Sequence, residues 1–229
     1  LARASAVGHS VFVEPINPFA NKELNTEQRI VLKAERQANL EAEQNGGRPT
    51  KQGLETLYKA YEKVGNDLRA AETLELMNEL YPSIHNYNQI SVLYNNAGYY
   101  DKGLEFAEKA YLHNKNATTA FNYAYDLRHK DKAKFKEILE ESLRLDPEKP
   151  HSLYELGRLL KRENNPDGKK MIEKAFETWK KKFETNQMSE SDYSWLSSAA
   201  DELGMREFAQ QIRDSKPQFS GEKLYNPEN

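Results

Sequence analysis

The sequence contains no cysteine among its 229 residues. Disulfide bonds and thiol catalysis are therefore excluded, and the redox state of the compartment cannot be read from it. No apolar run approaches the length needed to cross a bilayer, so we expect no membrane insertion. We favour a cytoplasmic location, although no residue pattern fixes the compartment.

The sequence also lacks an excess of charge of either sign, with a net charge of −3 at pH 7. A general nucleic-acid binder needs surplus Lys and Arg to displace counterions from phosphates, so we expect no nucleic-acid partner. Hydrophobic residues make up only 38% of the chain, while charged residues make up 30%. This balance suits an array of repeats that share a thin core between neighbours.

No pattern of catalytic residues is present. His85, His113, His129 and His151 stand alone, without the spacing that places two histidine ligands on one helix face. There is neither a glycine-rich phosphate loop after a strand nor a Gly-x-Ser-x-Gly elbow. We therefore expect no enzyme activity in this chain, and neither a cofactor nor a metal site.

What the sequence does contain is a helical hairpin pattern over residues 51–83. Leu54, Leu57 and Tyr61 form an apolar stripe at helical spacing. Gly65 then interrupts the run, as a glycine with positive φ often does at the end of a helix. Asp67 is a candidate N-cap for the second helix, which Pro82 terminates.

This hairpin pattern recurs along the chain. A shift of 33 residues carries Leu57 onto Ile90, Tyr61 onto Tyr94 and Gly65 onto Gly98. Three further copies each contain two apolar stripes, and the signature residues of their first helices are Ala120, Tyr123, Ala124 and Leu127; Leu153, Leu156, Gly157 and Leu160; and Tyr193, Leu196, Ser197 and Ala200.

The pattern resembles the tetratricopeptide repeat (TPR) family, whose signature runs W-x2-L-G-x2-Y, then A-x3-F, then P. No copy has Trp at the first signature position, the third lacks the turn glycine, and the second helix of the fifth is degraded. The resemblance implies an all-α fold, a right-handed superhelical solenoid of about five helix-turn-helix repeats.

We divide the chain into four segments. Residues 1–24 are predicted to be an extended arm or the end of a preceding domain, and residues 25–50 an N-terminal helix and linker. Residues 51–215 are predicted to form the repeat array, and residues 216–229 an extended C-terminal tail. We favour a tail that folds back over the last repeat, and the competing interpretation is self-association through that end. Because the chain begins at Leu1 rather than Met, we expect a processed product or a piece of a longer protein.

In the TPR family, the non-signature positions of the first helices line a concave groove that holds a peptide. Aromatic and Arg side chains at such positions favour protein binding, and Asn or Gln can bond an extended backbone. The resemblance therefore implies a binding site formed by Asn88, Gln89, Asn95, Phe121, Asn122, Tyr125, Tyr154, Arg158 and Trp195. An equally open alternative is that the repeat registers are off by one, or that an extra helix fills the groove.

The predicted function is a protein-interaction scaffold that binds an extended peptide or a partner domain in this groove, and a monomer is favoured. An alternative is an accessory TPR region of a larger enzyme whose catalytic domain lies upstream of Leu1. The clamp with which chaperone-binding TPR domains hold a terminal carboxylate is absent in this register. Its first-repeat positions carry Glu55 and Lys59, its second-repeat position carries Gln89, and its third-repeat positions carry Thr118 and Asn122.

Overall fold

A computed structural model describes residues 24–82 and 85–217. These described residues contain no strand and form α-helices joined by short turns. They divide into two compact units, with residues 24–106 in unit 1 and residues 107–217 in unit 2. The predicted arm and the predicted fold-back of the tail lie outside the described residues and stay predictions.

Unit 1 contains four complete helices and the first half of a fifth. They are α1 (Thr26–Gln44), α2 (Lys51–Lys63), α3 (Asp67–Leu80), α4 (Tyr87–Asn96) and α5 (Tyr100–His113), of which residues up to Phe106 belong to this unit. Helix α1 packs on α2, α2 on α3 and α3 on α4. Their shared core is built on the signature positions, including the fully buried Leu57, Ala70, Ile90 and Tyr94.

Unit 2 contains the end of α5 and six further helices. They are α6 (Ala117–Leu127), α7 (Lys132–Leu145), α8 (Pro150–Arg162), α9 (Asp167–Glu184), α10 (Glu190–Glu202) and α11 (Arg206–Ser215). From α6 onward, each helix again packs on its sequence neighbour. This succession of hairpins confirms the predicted all-α helical-repeat class.

The helix ends follow local chemistry that the sequence encodes. Asn25 and Gln28 form a capping box at the start of α1, in which each side chain bonds the other's backbone N–H. One predicted cap was wrong by a residue, because the side chain of Asn66 accepts from the backbone N–H of Arg69, while Asp67 is already helical. A carboxylate in the first turn still suits the positive end of the helix dipole.

The turn glycines behave as predicted. Gly65, Gly98 and Gly204 have φ values of 69°, 84° and 80°, in the left-handed region that residues with a Cβ rarely adopt. Each follows the first helix of a hairpin, where the backbone reverses. The recurrence of this backbone state supports the repeat alignment independently of the apolar pattern.

Candidate protein-binding surface

The nine predicted binding residues divide between the two units. Three lie on α4 in unit 1, and these are Asn88, Gln89 and Asn95. The other six lie in unit 2, namely Phe121, Asn122 and Tyr125 on α6, Tyr154 and Arg158 on α8, and Trp195 on α10. All six are therefore on the first helices of successive hairpins.

Unit 2 brings its predicted aromatics together around the ring of Trp195. The centroid of that ring lies 6.1 Å from Phe121, 5.8 Å from Tyr125 and 5.6 Å from Tyr154, each in an edge-on arrangement. Edge-on pairs at these distances are favourable because the positive ring edge meets the negative ring face. With His151 and Trp179, these four residues form what we call the aromatic cluster.

The aromatic cluster is partly core and partly surface. Phe121 is 7% exposed and Tyr154 is 4% exposed, so their side chains have little surface to offer a partner. Tyr125 and Trp195 are only half-buried. The first helices pack closely enough here for the aromatics to bury one another, which leaves two of the four with exposed ring surface.

Trp179 belongs to this cluster but was missed at the sequence level. Its ring is fully buried and stacks on Trp195, with centroids 5.9 Å apart and planes inclined by 15°. The signal for burial was available, since Ile172, Ala175, Phe176 and Trp179 follow the helical spacing of one face of α9. No sequence pattern showed that this face meets α10 at Trp195.

His151 lies beside the stacked tryptophans, edge-on to both rings. Its ring centroid lies 5.2 Å from that of Trp179 and 5.1 Å from that of Trp195. Its Nδ1 is buried without a hydrogen-bond partner among the described residues. Burial lowers the pKa of His151 to about 4, and the nearby positive charge of Lys149 acts in the same direction. The imidazole is therefore neutral at pH 7.

Beside the aromatic cluster lies a pocket of about 560 Å³ that we call the basic pocket. Its charged lining consists of Arg128, Lys132, Arg158, Arg162, Glu155 and Glu163, with His129 nearby, and its apolar lining of Tyr125, Phe135 and Leu159. The lining therefore holds four permanent cations and two carboxylates. It spans the end of α6, the start of α7 and one face of α8.

Two of these arginines are held in place by their neighbours. The guanidinium of Arg128 lies 3.7 Å from the ring centroid of Tyr125, and its Nη1 donates to the Tyr125 carbonyl at 2.7 Å. Arg158 donates from Nε to Glu202 at 3.2 Å. Its Nη1 lies 3.7 Å from a carboxylate oxygen of Glu155. Stacking and bonding at both sites limit the rotamers that these long side chains can adopt.

Glu155 is the buried carboxylate in the wall of this pocket, with 8% of its surface exposed. Burial raises its pKa, while the positive charges of Arg158, Arg128 and Arg162 oppose that rise. Burial is the larger effect, so the three arginines offset it only in part.

The three predicted residues of unit 1 have different surroundings. The Gln89 side chain donates to the Tyr58 hydroxyl on α2, and that hydroxyl donates to Glu62 at 2.5 Å. Asn95 lies against Gly103 of α5, where an added Cβ would fall 2.0 Å from the Asn95 Oδ1. These amides are half-buried and engaged within unit 1, while Val92 on the same helix is 40% exposed.

Neither a metal-binding cluster nor a membrane-spanning helix is present in the described part of the chain. It contains no group of three or more His, Cys, Asp or Glu residues arranged to hold a metal ion. None of its helices combines the length and apolarity that a membrane crossing requires.

Comparison with known proteins supports the fold rather than a specific activity. No protein-family model matches the sequence, and no curated protein matches it significantly. The chain is similar to the crystal structure of BtubC (BKLC) from P. vanneervenii, with 19% identity and a TM-score of 0.54 over 90% of this chain and 96% of that one. It is also similar to MamA 41-end from Desulfovibrio magneticus RS-1, with 18% identity and a TM-score of 0.47 over 76% and 99% of the two chains. At this level of identity, the likeness to BtubC shows the fold alone: an all-α chain of successive helical hairpins.

Proposed function

We propose that this chain is a TPR-like scaffold that binds an extended segment of a partner protein on the first helices of its hairpins. The observation that carries the proposal is the pairing of half-buried aromatics with ordered guanidinium groups in unit 2. The Arg128 guanidinium stacks on the ring of Tyr125, which lies edge-on to Trp195. The guanidinium of Arg158 lies over the ring of Tyr154, 5.5 Å from its centroid. Aromatic and Arg side chains are the residues that contribute most to binding energy in protein interfaces.

The burial of Phe121 and Tyr154 refines the proposed contact set. Both rings contact Trp195 edge-on and restrict its movement, so its exposed ring surface is already ordered when no partner is bound. A rigid aromatic loses little conformational entropy on binding. The direct contacts in unit 2 are therefore Tyr125, Arg158 and Trp195, with Arg128 added. The Asn88, Gln89 and Asn95 amides of unit 1 are proposed to bond a peptide backbone.

The test is selection of binding peptides from a random library displayed on phage, with the full chain as bait. Selected peptides are then titrated by fluorescence anisotropy against the wild type and Tyr125→Ala. We expect at least about a tenfold loss of affinity, as for truncation of an aromatic contact. Arg206→Ala, an exposed substitution on α11, is the matched control and should bind as the wild type does.

Because Tyr125 also contacts Trp195, the thermal melt of each variant is recorded in parallel. Arg128→Ala is a second variant, since it removes a half-buried guanidinium rather than a ring of the cluster. Selected peptides that bind both variants as tightly as the wild type would contradict the proposed surface. Failure to select any peptide would contradict the proposed function itself.

A further inference from the structure

The basic pocket holds more positive charge than its own carboxylates neutralise. Glu163 is also engaged outside the pocket, where Lys136 lies 2.9 Å from one of its oxygens. Arg158 is shared between Glu155 and Glu202. Lys132 and Arg162 form no ion pair with any described residue. The uncompensated charge is thus concentrated on Arg128, Lys132 and Arg162.

Arg128 is the cation best prepared for a ligand. A guanidinium carries five N–H donors, and its bonds to the Tyr125 carbonyl and to the His129 Nε2 use two of them. Neither partner is an anion, so the positive charge is oriented but not neutralised. An ordered guanidinium loses less entropy when a carboxylate binds than a freely rotating one does.

Arg158 and Arg162 are four residues apart on α8, so they project from the same face of that helix. Arg158 is tied to α10 through Glu202, whereas Arg162 is exposed in the last turn. Together with Arg128, which directly follows the end of α6, they surround the buried Glu155. The arginines therefore line the pocket from two parts of the chain: Arg128 from the end of α6, and Arg158 and Arg162 from α8.

The size and lining of this pocket indicate the kind of anion. A volume of about 560 Å³ greatly exceeds what one phosphate or carboxylate group needs. The Tyr125 ring, Phe135 and Leu159 add apolar surface between the cations. Asp and Glu side chains carry a carboxylate on a short apolar stem, so a segment with several of them matches both parts of the lining. Nucleic acid fits less well, because its regular phosphates need an extended track of cations and the chain as a whole is slightly acidic.

We propose that the basic pocket is the specificity element of the binding surface and takes an acidic peptide segment, whose carboxylates pair with Arg128, Arg162 and Lys132. This rests on the proposed function and adds the chemistry of the partner to it. The Arg128 guanidinium stacks on the Tyr125 ring, and this contact connects the basic pocket to the aromatic cluster. Binding should weaken with salt, because the Debye length falls from about 10 Å at 0.1 M to about 3 Å at 1 M ionic strength.

The test uses the ¹⁵N-labelled full chain and follows the Arg Nε–Hε resonances, assigned with single Arg→Lys variants. The probes are acetylated and amidated hexaglutamate, its hexaglutamine counterpart, inorganic phosphate and a thymidine oligonucleotide. We expect saturable shifts of Arg128 and Arg162 with hexaglutamate alone, and about a tenfold weaker affinity in Arg162→Ala. Arg206→Ala should leave the titration unchanged.

Four outcomes would overturn the acidic-peptide assignment. Equal shifts with hexaglutamine would show that charge is not recognised, and equal shifts with phosphate would reduce the pocket to a general anion site. Tighter binding of the oligonucleotide would assign the basic pocket to nucleic acid instead. An absence of shifts with every probe would show that the pocket binds none of these ligands. If library peptides nevertheless depend on Tyr125 without being acidic, the proposed function stands and only this inference fails.

Discussion

Unit 1 and the α8–α10 region of unit 2 bury polar side chains in opposite ways. In unit 1, the Tyr61 hydroxyl donates to Glu35 at 2.8 Å, and the Tyr94 hydroxyl donates to Glu75. In the aromatic cluster, neither Nδ1 of His151 nor Nε1 of Trp179 has a partner among the described residues. Unit 1 hydrogen-bonds these two tyrosine hydroxyls, although the amide nitrogen of Asn78 in the same unit has no partner among the described residues. The aromatic cluster instead surrounds its polar atoms with rings.

This difference teaches which changes each region tolerates. A hydrogen-bonded region should be sensitive to removal of a donor, because the remaining acceptor stays buried. A region packed by rings and close backbones should be sensitive to added volume and to charge. The following predictions test this contrast, from the largest expected effect to the smallest.

The largest effect is expected where α8 crosses α9. A Cβ on Gly157 would lie 2.8 Å from the carbonyl oxygen of Gly168 and 2.9 Å from Cγ1 of Ile172. Backbone atoms cannot rotate away as a flexible side chain can, so the helices must separate. We predict that Gly157→Leu lowers the free energy of unfolding by about 3 kcal/mol, measured by urea denaturation.

Gly103 in unit 1 is the matched control for this crowding. The three atoms nearest to its added Cβ all belong to the Asn95 side chain, which can change its rotamer. Since alanine favours a helix interior over glycine by about 1 kcal/mol, Gly103→Ala should stay within about 1 kcal/mol of the wild type. Gly157→Ala should be clearly less stable than Gly103→Ala, and equal stabilities would contradict the contrast between the two crossings.

The second prediction concerns pH and follows from His151. Its folded pKa of about 4 lies below the usual 6.5, so the unfolded chain binds the proton more tightly. The stability contributed by the neutral ring is complete above pH 6.5 and is lost as the pH falls from 6.5 towards 4. We predict that the free energy of unfolding of the wild type falls by about 2 kcal/mol between pH 7 and pH 5. The His151→Phe variant should not show this fall.

The charged groups around His151 shift its pKa in both directions. Lys149 and Lys182 disfavour the imidazolium, while Asp192 favours it, and burial outweighs all three. Urea denaturation at both pH values gives the measurement. Tyr61→Phe, a change in unit 1, should keep the wild-type pH dependence. If His151→Phe keeps it as well, another group is responsible.

Much of the fold could be predicted from sequence because its signals are local. Apolar spacing located the hairpins, and Gly65, Gly98 and Gly204 occupy the positive-φ turns that their positions required. The candidate binding surface was less predictable. Helical spacing placed Phe121 and Tyr154 on the first helices, but it could not show that Trp195 from a later hairpin would contact both rings. Nor could it show that Trp179 would contact Tyr154. The basic pocket depends on distances between helices, which a single-sequence pattern does not contain.

The smallest predicted effect is in unit 1 and concerns its tyrosine–carboxylate bonds. Tyr61→Phe removes the donor to Glu35, whose carboxylate remains in a residue only 9% exposed. We predict a loss of about 1–2 kcal/mol, the usual cost of leaving a buried acceptor unsatisfied. Tyr94→Phe should cost less, because Glu75 keeps an ion pair with Lys102 at 3.2 Å and its side chain is 40% exposed. Urea denaturation of the two variants checks the order. Equal losses would show that the phenol–carboxylate bond contributes the same whether or not its acceptor is buried, and the contrast between the two regions would then rest on packing alone.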